Sequence, residues 1–288
     1  MKTFKQFIHE SEKPKEYEII SNSHGAHAKI TPVKLKEYEI ISNSHGAHAK
    51  ITPVKLKENT EHPSVEEHFL PKFKSLADRF AHNNNMDKQI EGLHKTHPHT
   101  DKGEFHLNEF TKGSAGLTKD LLRHHTEGEP LVHENLVRDL DTHGFVPAKH
   151  KFATYSGVGF DIKNAKPVGK SKEGNLVYHQ PTYLSSSIDK HIAKSFAGES
   201  ALRSKSKNEH ILHWHHHEHD PVGIIGIHSE FPNEHEVLIP RTNSTKDRHH
   251  IEHIGTDKYN TQFGNTVHVH HVRRIPESEI TKDPNEKV

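Results

Sequence analysis

Glu234 and Glu236 stand one residue apart at the end of the polar stretch Phe231-Pro-Asn-Glu-His-Glu236, and the chain runs from there into the apolar Val237-Leu-Ile-Pro240. Two carboxylates on one turn suit a reaction with a cationic transition state, one stabilising positive charge and the other orienting or deprotonating a nucleophile. A solvated turn carries such a pair equally well. A second candidate for chemistry is the tract His213-Trp-His-His-His-Glu-His219. On a strand, His213, His215, His217 and His219 project from one face, and Trp214 and His216 from the other. Imidazoles at two-residue spacing ligate zinc, nickel or copper, which makes His213, His215 and His217 candidate metal ligands, and His268 and His270 repeat the pattern. An ordinary sheet strand with a histidine-rich, solvated face is the alternative.

These residues need elements to hold them. Phe73, Leu76, Ala77 and Phe80 recur at helical spacing behind Ser64 and Glu67, which have the spacing of a capping box. Further helices are expected over 118–125, with Leu117, Leu121 and Leu122 inward, and over 132–140. After Gly144 the pattern turns to strands, expected over 151–155, 177–183, 211–216, 223–228, 236–239, 249–254 and 266–274. One helix interrupts them at 188–197, opened by Ser187 as cap, with Ile188, Ile192, Ala193 and Phe196 inward. Helices followed by a strand-rich half indicate an α+β domain.

The N-terminal segment is different. KEYEIISNSHGAHAKITPVKL occupies 15–35 and recurs letter for letter at 36–56. Each copy reads as a short strand, a Ser-Asn-Ser-His-Gly turn and a second strand ending before Pro32 or Pro53. Such units pair as hairpins without enclosing a core. Residues 1–60 are therefore expected to be an appendage on a body formed by 61–288.

Composition narrows the function classes. Of 288 residues, 30% are apolar and 27% charged, enough for a core in one region. No run approaches the ~20 apolar residues of a membrane span, and the start lacks the apolar stretch of a secretory signal, so a soluble protein with no membrane partner is expected. The absence of cysteine excludes disulfides, thiolate zinc sites and cysteine nucleophiles. Lys and Arg match Asp and Glu at 39 each, leaving no positive field to draw in nucleic acid at neutral pH. Histidine, at 33 residues, is the anomaly; full protonation in mild acid would make the chain strongly cationic.

Three segments together resemble the arginine-serine-glutamate class of mono-ADP-ribosyltransferases, which includes bacterial exoenzymes and enzymes of large tailed phages. Glu234-His-Glu236 with Val237-Leu-Ile-Pro240 is similar to the family's Glu-x-Glu turn and following strand. Tyr183-Leu-Ser-Ser-Ser187 with His191-Ile-Ala-Lys-Ser-Phe196 resembles its Ser-Thr-Ser strand and following helix. Phe110-Thr-Lys-Gly-Ser-Ala115 with Leu121-Leu-Arg123 is similar to the helical segment before its first catalytic strand. The fold the resemblance implies is a split pair of antiparallel-rich sheets with N-terminal helices and NAD, as substrate, in the cleft between the sheets.

The resemblance also implies roles. Glu236 would stabilise the oxocarbenium-like ribose left as the nicotinamide bond breaks, and Glu234 would prepare an arginine acceptor. Ser185 would fix Glu236. Tyr155, Ser156, Gly157, Ser185, Ser186, Ser187 and Phe196 would line the NAD site. The family's Tyr-Arg-Gly appears here as Tyr155-Ser-Gly157, so Ser156 replaces the arginine that grips the phosphate. Losing such a charge-assisted contact costs about 1.5–3 kcal/mol, roughly 10–100-fold in binding. The opening MKTFKQFI resembles the start of many T4-like phage proteins, which implies a host protein acceptor and a place in the host cytoplasm or virion. Two alternatives stand beside the enzyme: a catalytically impaired transferase fold serving as a virion structural or docking protein, and a histidine-rich metal-binding protein.

Overall fold

The computed structural model describes residues 16–22, 25–31, 69–70, 72–226, 229, 231–244 and 248–281. The chain divides into two units, Met1–His62 and Pro63–Val288. Within the first, β1 (Glu16–Asn22) and β2 (Gly25–Thr31) form an antiparallel hairpin across the polar turn of the first repeat copy. The second copy, the capping-box pair Ser64 and Glu67, and the strand end expected at His228 lie outside the described residues.

Helices lead the second unit. α1 (Leu76–Thr96) is capped by Ser75, whose hydroxyl accepts the Asp78 amide, and α2 (Asp101–Glu127) by Thr100. α3 (Glu134–His143) follows. The apolar face expected for α1 differs from the buried one. Leu76 and Phe80 are exposed, while Met86, Ile90 and Leu93 are buried, because only the C-terminal half of the helix reaches the sheet. Leu117 and Leu121 of α2 are buried as expected, but Leu122 faces outward.

The strands are β3 (Val146–Pro147), β4 (Phe152–Val158), β5 (Pro167–Ser171), β6 (Leu176–Tyr178), β7 (Leu184–Ser187), β8 (Asn208–His216), β9 (Pro221–Ile224), β10 (Glu236–Ile239), β11 (His249–Asn260), β12 (Thr266–Pro276) and β13 (Ile280–Thr281). They join in the order β13-β5-β6-β11-β12-β8-β4-β7-β10-β9-β3, with β12 and β8 parallel and the other pairs antiparallel. A single register pair, Tyr155 with Ser187, links β4 to β7, so the sheet is split into two halves joined at one rung. The fold is α+β with a mixed, mostly antiparallel sheet. The strand expected over 177–183 is broken after Tyr178, where the Gln180 side chain donates to Thr182 and Pro240 carbonyls and turns the chain toward β7.

α4 (Lys190–Ser204) crosses β4. Its cap is Asp189, which accepts the His191 amide; Ser187 is committed to the ladder. The two faces of the sheet carry different cores. Trp214, Leu212, Val237 and Ile239 pack with Ile90 and Leu93 of α1, and Leu238 packs with Leu107, Phe110 and Leu140 of α2 and α3. Among the described residues, no helix is long and apolar enough to cross a membrane.

Candidate active site

β7 and β10 pair with Ser187 opposite Glu236 and Ser185 opposite Leu238. Opposed residues of an antiparallel pair share a face, so Ser185, Ser187 and Glu236 point the same way. The row continues across the split, since Tyr155 stands opposite Ser187 and His213 opposite Tyr155. One face therefore carries His213, Tyr155, Ser187 and Glu236 on four adjacent strands.

Glu236 is 6% exposed, and the exposed Ser185 hydroxyl is close enough to act on its carboxylate as a hydrogen-bond donor. Burial pushes the Glu236 carboxyl up to about 7; the Ser185 bond opposes the rise and the Glu234 charge adds to it. The two glutamates thus interact, as their one-residue spacing anticipates. Their separation is set by a tight turn: Pro232–Glu234 form one turn of 3-10 helix, and His235 takes a left-handed conformation at φ +48. A non-glycine residue there costs about 1–2 kcal/mol, and several contacts hold it. The His235 ring is buried with Nε2 2.8 Å from Asp87 Oδ1 on α1, and the Ser187 hydroxyl donates to the Glu234 carbonyl at 2.6 Å. That same hydroxyl accepts the Asp189 amide at 2.9 Å, tying the turn to the start of α4. His82 of α1 reaches Asp189 at 2.9 Å.

The residues expected to line a dinucleotide site divide into two groups. Tyr155 lies on the Glu236 face, its ring stacked on His213 at 4.6 Å and edge-on to Phe69 at 5.7 Å. Ser156 does not. It is 2% exposed on the opposite face, where its hydroxyl accepts the Trp214 indole N–H at 3.0 Å. Ser186 is also on that opposite face and donates to the Val237 carbonyl at 2.6 Å. Gly157 is required by packing, since a Cβ would fall 2.1 Å from the Ala193 carbonyl oxygen of α4. Phe196, expected inward, is exposed on α4, because the sheet is met by Ala193, Ala197 and Ala201.

A cation near this face is one the sequence did not single out. Lys190 lies 5.4 Å over the Phe69 ring and acts electrostatically on His213 and Asp189. Its position at the first residue of a helix, beside the Asp189 cap, is the only signal the sequence carried. Arg123 is engaged with Glu129 at 3.6 Å on α2.

Of the candidate metal ligands, His213 and His215 share a face and His217 leaves it. β8 ends at His216, and the His217 amide turns to donate to Asp220 at 2.7 Å. The third imidazole near His213 and His215 is His271 of β12. His268 and His270 lie on the other face with His210.

No protein-family model matches the chain, and no curated protein matches it. The comparison with solved structures returns distant likenesses. The ADP-ribosyltransferase toxin Plx2a from Paenibacillus larvae is 11% identical over 67% of this chain and 96% of its own, with a TM-score of 0.47. An ADP-ribosyltransferase from Clostridium botulinum is 13% identical over 70% of this chain and 97% of its own, with a TM-score of 0.45. ADP-ribosyltransferase Vis, solved with agmatine, is 16% identical over 75% of this chain and 93% of its own, with a TM-score of 0.48.

Proposed function

We propose that the chain is an NAD-dependent mono-ADP-ribosyltransferase that modifies arginine on a protein of the host in which it acts. The observation that carries this reading is the Glu236 carboxyl, buried, held by Ser185 and coupled to Glu234. Transfer breaks the bond from ribose C1′ to the nicotinamide nitrogen, whose electrons leave with nicotinamide, and forms a bond from C1′ to the acceptor nitrogen. Ionised Glu236 stabilises positive charge on the ribose in a site shielded from water, where such a charge pair is strongest. Ser185 fixes the carboxylate's orientation. Glu234, less buried on the same turn, takes the proton given up by the incoming guanidinium.

Ser185, Tyr155 and Glu236 on one face support a ribose end held there, and the phosphate end differs from the family pattern. With Ser156 facing Trp214, the group placed to hold a phosphate is Lys190, which offers a point charge rather than a bidentate fork. That difference also favours a second reading, in which the fold is kept as a docking body of a phage particle and binds NAD weakly.

Labelled NAD incubated with the full chain and a host lysate separates the two. Transfer of label that is lost in Glu236→Gln, with Lys190→Met raising the KM for NAD, supports the enzyme. Absence of nicotinamide release and of label transfer, with weak NAD binding or none by calorimetry, leaves the docking body.

A further inference from the structure

The parallel ladder of β8 and β12 sets His271 directly opposite His213, and His215 follows two residues later on the same face. His215 Nε2 lies 3.1 Å from His271 Nδ1. The rings crowd together, with centroids 4.2 Å apart for His213 and His215 and 5.0 Å for His213 and His271. One nitrogen from each ring lies within 4.8 Å of the other two. Zinc–imidazole bonds of about 2.0–2.1 Å in tetrahedral geometry separate two ligand nitrogens by roughly 3.3 Å, close to the His215–His271 spacing already present.

Two further features suit an ion. His271 Nε2 is 3.0 Å from Asp257 Oδ2, the arrangement in which a carboxylate takes one ring N–H and leaves the other nitrogen's lone pair free for a metal. All three side chains are half-buried, which leaves a route for an ion and a place for a solvent ligand. Strands, rather than loops, fix the set.

We propose that His213, His215 and His271 bind one divalent ion of the zinc class, with Asp257 orienting His271 and a solvent molecule completing the tetrahedron. The site does not depend on the transferase reading, and its readout is metal content rather than activity. It lies beside the candidate active face, since His213 is the ring stacked on Tyr155.

The test uses the full chain stripped with chelator, then titrated with zinc by calorimetry and with cobalt by its visible d–d absorption. Wild type should take up one tight equivalent with a tetrahedral cobalt spectrum and melt at higher temperature when zinc is saturating. His215→Ala and His271→Gln, each checked for folding by circular dichroism, should lose that equivalent. Asp257→Asn should keep the stoichiometry with affinity about 10–100-fold weaker. His210→Ala and His82→Ala remove a nitrogen from the other two clusters, Asp161–His210–His270 and His82–Asp189–His191, and should leave the tight equivalent unchanged. Wild type without tight binding, or an equivalent that survives in folded His215→Ala and His271→Gln, overturns the assignment. Loss in His210→Ala or His82→Ala instead of these does the same.

Discussion

Ser156 Oγ accepts the indole N–H of Trp214 at 3.0 Å, deep in the core between the sheet and α1. Position 156 is therefore a packing position. Ser156→Ala leaves a buried N–H without a partner and should cost about 1–3 kcal/mol, read as a lower midpoint in urea with an unchanged slope. Ser156→Arg drives a guanidinium into the same core and should destabilise by more, without tightening NAD binding. A folded Ser156→Arg that binds NAD better than wild type would place the side chain on the opposite face.

Glu236 predicts two pH effects of its own. If the carboxylate form carries the reaction, the rate should climb as pH rises through about 7 and fall in acid. Its contribution to stability runs the other way. A carboxyl whose folded value is raised stabilises fully below its ordinary value and loses that contribution as pH rises through about 7. Glu236→Gln should therefore be stabilising at pH 8 by up to about 3 kcal/mol and close to neutral at pH 4, measured by denaturant titration at both.

The histidines set the acid limit. Burial, with neighbouring cationic groups adding to it, holds His213 and His216 down at about 3 and His99, His179 and His270 at about 4. An unfolded chain protonates them near ~6.5, so it binds more protons than the folded chain between that value and ~4, and stability falls with pH across the window. These five rings therefore do not add to the positive charge expected of the chain in mild acid. Unfolding below pH 6 should take up several protons at once, visible as a steep fall in melting temperature; a flat profile from pH 7 to 4 would contradict it.

Asp141 of α3 accepts from the Tyr183 hydroxyl at 2.5 Å and pairs with Arg241, joining the chain just before β7 and just after β10 to one helix. Both charged side chains are largely buried. Asp141→Ala strands the guanidinium and should cost about 3 kcal/mol, the low end for a buried pair since some exposure remains. Asp141→Asn keeps the Tyr183 acceptor and should cost less. Equal effects of the two would show that the charge contributes nothing.

Much of the fold was legible where a pattern had one solution. Val237-Leu-Ile between a polar turn and Pro240 reads as a buried strand, and Glu236–Ile239 is one. Glu234 and Glu236 were legible as a pair because they share one turn, whereas Ser185 comes from β7, with α4, β8 and β9 between it and β10, and only the family resemblance pointed to it. The site stopped being legible where the partner comes from far along the chain. His271 meets His213 through a parallel register no local pattern encodes, whereas His217, in phase by counting, leaves the strand when Asp220 captures its amide. Ser187 and Asp189 are both cap-type residues, and tertiary pairing with Glu236 decides between them. The α1 face was misread because Leu76 and Phe80 have helical spacing without a sheet beneath them.

The rung between Tyr155 and Ser187 gives the sheet a mechanical weak line. Parting it breaks one ladder step and leaves β8, β12 and β11 paired along their length on one side and β7 with β10 on the other. Amide exchange should then report two independent opening units, a slow one centred on β8 and β12 and a faster one containing β7. Glu236, opposite Ser187, sits one strand from that line, so an opening along it would expose the carboxyl and lower its proton affinity.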